Sequence, residues 1–121
     1  MNDKLPVTVL IAVKEEEANI RICLESLKPA QRVIVIDSQS KDRTAEIARS
    51  LGAEVVQFVY KGGYPKKRQW ALEYLNIDTP WVMLIDAHET VPEALWQEIK
   101  LNLENNTADA YLIKKGFHFL G

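Results

Sequence analysis

Four short apolar runs, each followed by a stretch with helical periodicity, restrict what this chain can fold into. The first run, residues 7–13 (VTVLIAV), is apolar and β-branched almost throughout, as a strand buried on both faces is. Residues 16–27 follow, with Ile20, Cys23, Leu24 and Leu27 on one helical stripe. Residues 32–37 (RVIVID) predict a second buried strand. Thr44, Ile47, Ala48 and Leu51 predict the next helix, with Asp42 as its N-cap and Gly52 at its C-terminal glycine position. Residues 54–59 read as a third strand, and residues 66–75 as a helix after the break at Gly62-Gly63-Tyr64-Pro65. Residues 81–86 (WVMLID) are the fourth strand. Thr90 and Glu93 then read as a capping box for a helix carrying Leu95, Trp96, Ile99 and Leu103. Residues 110–115 predict a fifth strand. Parallel strands need long crossovers, so this alternation predicts an α/β fold with a mostly parallel sheet and helices on both faces.

The 121 residues fit one domain with its own core. A formal charge of −2 provides no general attraction to nucleic acid, which is not expected as a partner. A single cysteine, Cys23, excludes an internal disulfide framework and suits a reducing compartment. The first residues lack a signal-peptide core, and no apolar run approaches the roughly 20 residues that span a bilayer. A cytoplasmic location is expected, with peripheral membrane attachment left open.

In an open α/β sheet, ligands bind beyond the carboxyl ends of the strands. After the first strand stand Lys14, Glu15, Glu16 and Glu17; after the second, Asp37, Ser38, Gln39 and Ser40; after the fourth, Asp86, His88 and Glu89. The third strand leads to two glycines and the basic cluster Lys66, Lys67, Arg68. Acids at several strand ends beside one basic cluster suit a phosphorylated ligand held with a divalent cation. Neither a dinucleotide glycine fingerprint nor a P-loop occurs. Each residue also has a structural reading: Asp42 and Thr44 read as helix-start residues, Glu15 to Glu17 as first-turn acids, and Cys23 as part of the core stripe.

Residues 9–20 (VLIAVKEEEANI) resemble the opening strand and Asn-Glu-Glu turn of family-two glycosyltransferases of the GT-A fold. Residues 35–44 (VIDSQSKDRT) are similar to their second signature, an aspartate followed by Ser-x-Asp-x-Thr. Residues 64–72 look like the family's basic segment, and residues 81–89 like the strand leading to its Asp-x-Asp metal motif. The likeness is strongest to bacterial transferases of the lipopolysaccharide-core glucosyltransferase type. It implies a Rossmann-like nucleotide-binding half spanning 1–121, without the acceptor and base-bearing part. It further implies an inverting transfer from a nucleotide sugar, with a UDP-sugar expected, to a cell-envelope glycan or lipid-linked acceptor. Val13, Glu16, Asp37, Lys67, Arg68 and Asp86 would line the nucleotide, and Asp86 and His88 would hold Mn²⁺ or Mg²⁺. No residue matches the family's catalytic base.

The chain departs from the family at Ala12 (usually proline), Glu15 (usually asparagine), Ser38 (often a second acid) and His88 (usually the metal aspartate). Imidazole ligates Mn²⁺ but is a poor ligand for Mg²⁺. The alternative from another class is a non-catalytic nucleotide-sugar-binding or interaction module of the same fold. A receiver-like regulatory domain is disfavoured, since no acid follows the third strand at Phe58-Val59-Tyr60. An open sheet edge would also favour a homodimer.

Overall fold

The computed structural model describes residues 4–59, 70–71 and 75–104. Its elements are β1 (Leu5–Val13), α1 (Ile20–Glu25), β2 (Ala30–Asp37), α2 (Thr44–Ser50), β3 (Glu54–Gln57), β4 (Trp81–Asp86) and α3 (Glu93–Glu104). The four strands form one sheet in the order β3-β2-β1-β4, and every neighbouring pair is parallel. The chain therefore winds outward from β1 to β3 and then crosses back to the other side of β1. That reversal is a topological switch point at the carboxyl ends of β1 and β4, the place where open α/β sheets bind their ligands.

Alternation along β1 divides the core. Val7, Val9, Ile11 and Val13 face α1, α2 and α3 and pack with Ile20, Cys23, Leu27, Ala48, Trp96 and Ile99. Leu10 turns to the opposite face with Ile34, Ile36, Leu84, Phe58 and Ala71. Trp70 and Ala71 are helical, and the Trp70 ring meets Phe58 at 5.2 Å. Both faces of the sheet are thus covered, as expected when right-handed crossovers reverse direction. One polar group interrupts the apolar run of β1: the Thr8 hydroxyl, fully buried, shares a 2.7 Å hydrogen bond with Thr79, which donates to the Trp81 carbonyl.

Several boundaries differ from the sequence expectation. The first helix begins at Ile20 rather than Glu16, because side chains of the β2–α2 loop and of Thr44 at the start of α2 take the backbone N–H groups of Glu15, Glu16 and Glu17. The third strand stops at Gln57, two residues early, with Phe58 turned into the second core cluster. Asp42 is not the N-cap of α2. That position is Arg43, yet Asp42 Oδ1 still accepts the Thr44 N–H at 2.9 Å from outside the helix. The last helix starts at Glu93, too late for Thr90 and Glu93 to form a capping box, and its first turn hangs from the Pro92 carbonyl. Gly52 has φ +91°, the left-handed conformation expected after a helix C-terminus. The fifth strand expected at residues 110–115, and most of the helix at 66–75, lie outside the described residues.

Candidate functional site

β1 and β2 end side by side, with Val13 in register with Asp37. Val13 is buried, and its carbonyl accepts the Ser38 N–H at 3.0 Å. Asp37 is also fully buried. Its carboxylate accepts the Ser40 hydroxyl at 2.5 Å, the Ser40 N–H at 3.2 and 3.3 Å, and Gln57 Nε2 at 2.9 Å. Gln57 Oε1 in turn accepts the Gln39 N–H at 3.1 Å. A buried carboxylate without donors would be very costly, so these bonds are what keeps Asp37 in place.

The loop after β1 is joined to the loop after β2. Ser40 Oγ accepts the Glu15 N–H at 2.6 Å, Thr44 Oγ1 accepts the Glu16 N–H at 2.9 Å, and Asp42 Oδ2 accepts the Glu17 N–H at 3.2 Å. Glu17 answers by accepting the Arg43 N–H at 3.1 Å. Donation from Thr44 holds the Asp42 carboxyl below its ordinary value, followed by the backbone N–H bonds. The Ser-Lys-Asp-Arg-Thr segment at residues 40–44 is thus a staple between two loops. Glu15 and Gln39 both have positive φ, 52° and 53°, and such non-glycine residues cluster at ligand-binding loops.

The second half of the site is the turn after β4, closed by a 3.0 Å bond from the Glu89 N–H to the Asp86 carbonyl. Glu89 Oε1 accepts the Asp86 N–H at 2.8 Å, and the Asp86 side chain is exposed. His88 reaches across to the β1 loop, where its Nε2 lies 3.1 Å from Glu16 Oε2. Asn19 Nδ2 donates to Glu16 Oε1 at 3.1 Å and stands 3.4 Å from His88 Nδ1. Beneath this turn the Cys23 thiol is 3.8 Å from the Asp86 carbonyl. Burial pushes that thiol up to about 12, and Glu89, Asp86 and Glu16 push it the same way.

The expected site residues therefore fall into two groups. Val13 and Asp37 meet at the ends of β1 and β2, while Glu16 and His88 meet between the loop after β1 and the turn that carries Asp86. Lys67 and Arg68 lie outside the described residues. Sequence reasoning missed Gln57 and Asn19. Placing the end of the third strand at Gln57 would have found the first by the strand-end rule; Asn19 carried no signal beyond its position before a helix.

Among the described residues no three His, Cys, Asp or Glu side chains converge as metal ligands. A divalent cation on a nucleotide needs fewer, because phosphate oxygens and waters complete its shell. Asp86 and His88 supply one carboxylate and one imidazole two residues apart on an exposed turn, and both imidazole nitrogens of His88 have neighbours, Glu16 Oε2 at Nε2 and Asn19 Nδ2 at Nδ1. Glu16 on Nε2 resembles the carboxylate that fixes a metal-binding histidine through its other nitrogen.

The sequence pattern of the family described as Glycosyl transferase family 2 matches residues 8–119. The lipopolysaccharide core biosynthesis glycosyltransferase LpsC of Rhizobium meliloti (strain 1021) is 35% identical over 99 residues, covering 78% of this chain and 36% of that protein. The chain spans about a third of the length of the curated relatives it matches. The crystal structure of Staphylococcus aureus TarS 1-349 is similar with a TM-score of 0.68 at 21% identity, over 84% of this chain and 33% of that one. Glucosyl-3-phosphoglycerate synthase from Mycobacterium tuberculosis, in complex with Mn²⁺, uridine-diphosphate-glucose and phosphoglyceric acid, is similar with a TM-score of 0.56 at 26% identity, over 67% and 32%.

Proposed function

Because the chain belongs to glycosyl transferase family 2, we propose that it forms the donor side of a sugar transfer from a UDP-sugar to a cell-envelope glycan or lipid-linked acceptor. The observation that carries this reading is the placement of Asp37, Glu16, Asp86 and His88 at the carboxyl ends of β2, β1 and β4, with Glu16 and His88 in contact beside the switch point of the sheet. On this reading Val13 and Asp37 border the base and ribose, and Lys67 and Arg68 meet the diphosphate. Glu16 steadies the His88 ring. Asp86 and His88 would hold Mn²⁺ in preference to Mg²⁺, and the cation would offset charge on the departing nucleoside diphosphate.

The transfer is a single inverting displacement. The bond from the anomeric carbon to the diphosphate oxygen breaks as the acceptor oxygen bonds to that carbon, and the acceptor proton passes to a general base. That base is not assigned to a residue of this chain. No helix among the described residues is long and apolar enough to cross a membrane. Peripheral attachment and homodimerisation belong to the same reading, one checked by vesicle co-pelleting and the other by sedimentation.

Calorimetry of UDP with Mn²⁺ or Mg²⁺, on wild type and His88→Asp, tests the proposal. Wild type should bind UDP more tightly with Mn²⁺, and His88→Asp should raise Mg²⁺-supported affinity about tenfold, the size of effect that changes around a metal ligand produce. Equal metal preference in both proteins removes His88 from the metal site, and absence of UDP binding removes the whole reading. UDP binding without sugar transfer would leave a nucleotide-sugar-binding module.

A further inference from the structure

The Asp37 carboxylate is fully buried, so a ligand group reaches it only where one of its present donors leaves. Ser40 is held there from two sides. Its N–H and its hydroxyl both bond the carboxylate, and the same hydroxyl accepts the Glu15 N–H. Gln57 is held only by its carboxamide, and it is an exposed side chain at the end of β3. Nε2 donates to Asp37 Oδ2 at 2.9 Å while Oε1 accepts the Gln39 N–H at 3.1 Å. One acceptor and one donor of the protein are thus bridged by an N–H beside a C=O. The imide edge of uracil carries the same pair, N3–H beside a carbonyl.

We propose that Gln57 is a specificity-determining plug on the base subsite, its carboxamide occupying the Asp37–Gln39 pair that the imide edge of a uracil nucleotide takes over on binding. The proposal rests on the donor-site reading above and adds a residue that reading does not use. A ring without an N–H beside a carbonyl cannot replace both bonds, and it leaves Gln57 in place. A nucleotide that does replace them binds with an affinity reduced by the fraction of time the plug is open. A plug closed nine-tenths of the time reduces affinity about tenfold.

Calorimetry of the full chain with UDP and with N3-methyl-UDP, on wild type, Gln57→Ala and Gln57→Ser, tests the plug, with thermal melting as the control for folding. UDP should bind about three- to tenfold more tightly to both variants. N3-methyl-UDP, whose imide proton is replaced by methyl, should bind wild type and variants alike. Variants that bind UDP no better than wild type overturn the plug and leave Gln57 as a positioning residue for Asp37. An equal gain for both nucleotides also overturns it. Should the variants fail to fold, the Gln57 side-chain amide resonances of wild type give the answer: the plug requires them to shift with UDP and stay unmoved by N3-methyl-UDP. UDP binding by wild type that Asp37→Asn abolishes, with no gain in the Gln57 variants, removes the plug and keeps the donor-site reading. No UDP binding by any of the proteins removes both.

Discussion

Two strands of this sheet end on the same dipeptide, Ile36-Asp37 and Ile85-Asp86, and the two aspartates stand in opposite surroundings. Asp37 is fully buried among the donors of Ser40 and Gln57. Asp86 is exposed on a tight turn whose other members, His88 and Glu89, reach toward Glu16 and the Asp86 backbone. Strand order accounts for the difference. β2 lies between β1 and β3, so its end is walled by the β1 loop on one side and by Gln57 on the other. β4 pairs with β1 alone among the described strands, and its end lies at the switch point of the sheet. An apolar run into aspartate thus locates an acid at the carboxyl end of the sheet, while the neighbouring strands decide whether it is buried in the fold or left exposed.

The contrast breaks most visibly through stability. Asp37→Ala leaves the half-buried Ser40 N–H without its acceptor and frees Gln57, and should lower the unfolding free energy by about 1.5–3 kcal/mol, the range for hydrogen bonds to a charged group. Asp86→Ala removes an exposed side chain and should change it by no more than about 0.5 kcal/mol. Urea denaturation of both variants measures the difference. Equal losses would mean that the two acids share one structural role.

The fold was legible because each level of the chain agrees with the next. VTVLIAV, RVIVID and WVMLID each became a parallel strand at or within two residues of its expected limits. Cys23 fell on the core stripe that its spacing from Ile20 and Leu27 predicted. The site was half legible. The strand-end rule named Asp37, Glu16, Asp86 and His88 one by one as candidates, but whether two of them meet depends on loop pairing, which has no period to read. Gln57 was hidden for a related reason: Phe58 and Val59 continue the apolar run of β3, yet Phe58 leaves the ladder to pack on Trp70. The Ser-x-Asp-x-Thr segment looked like a helix start and acts as a staple, because its partners are the N–H groups of a loop 25 to 28 residues earlier.

A smaller effect sharpens the locked side of the comparison. Glu15 occupies the left-handed region at φ 52°, with its N–H held by Ser40. Asparagine visits that region far more readily than glutamate, which gives a physical reason for the asparagine usual in the family at this position. Glu15→Asn should raise stability by about 0.5–1 kcal/mol with the Ser40 bond intact. A thermal melt no higher than that of wild type would mean that the Glu15 side chain compensates for its backbone.

The smallest effect probes the open side from below. The Cys23 thiol is pushed from its ordinary 9.0 up to about 12, by burial first and then by Glu89, Asp86 and Glu16. A thiol harder to ionise in the folded than in the unfolded chain adds stability that is fully present below pH 9 and is lost as pH rises through about 12. Burial is the largest cause and three acids share the rest, so removing one of them should move the midpoint only slightly. Asp86→Asn is expected to lower it by less than about one pH unit, since a single charge near the surface is well screened. Asp37→Asn should leave it unchanged, because Asp37 is not among the charges acting on the thiol. The Cys23 ¹³Cβ chemical shift followed against pH reads both variants directly. A midpoint that moves with Asp37→Asn and not with Asp86→Asn would reverse the assignment, making the acid after β2 the one that acts on the Cys23 thiol.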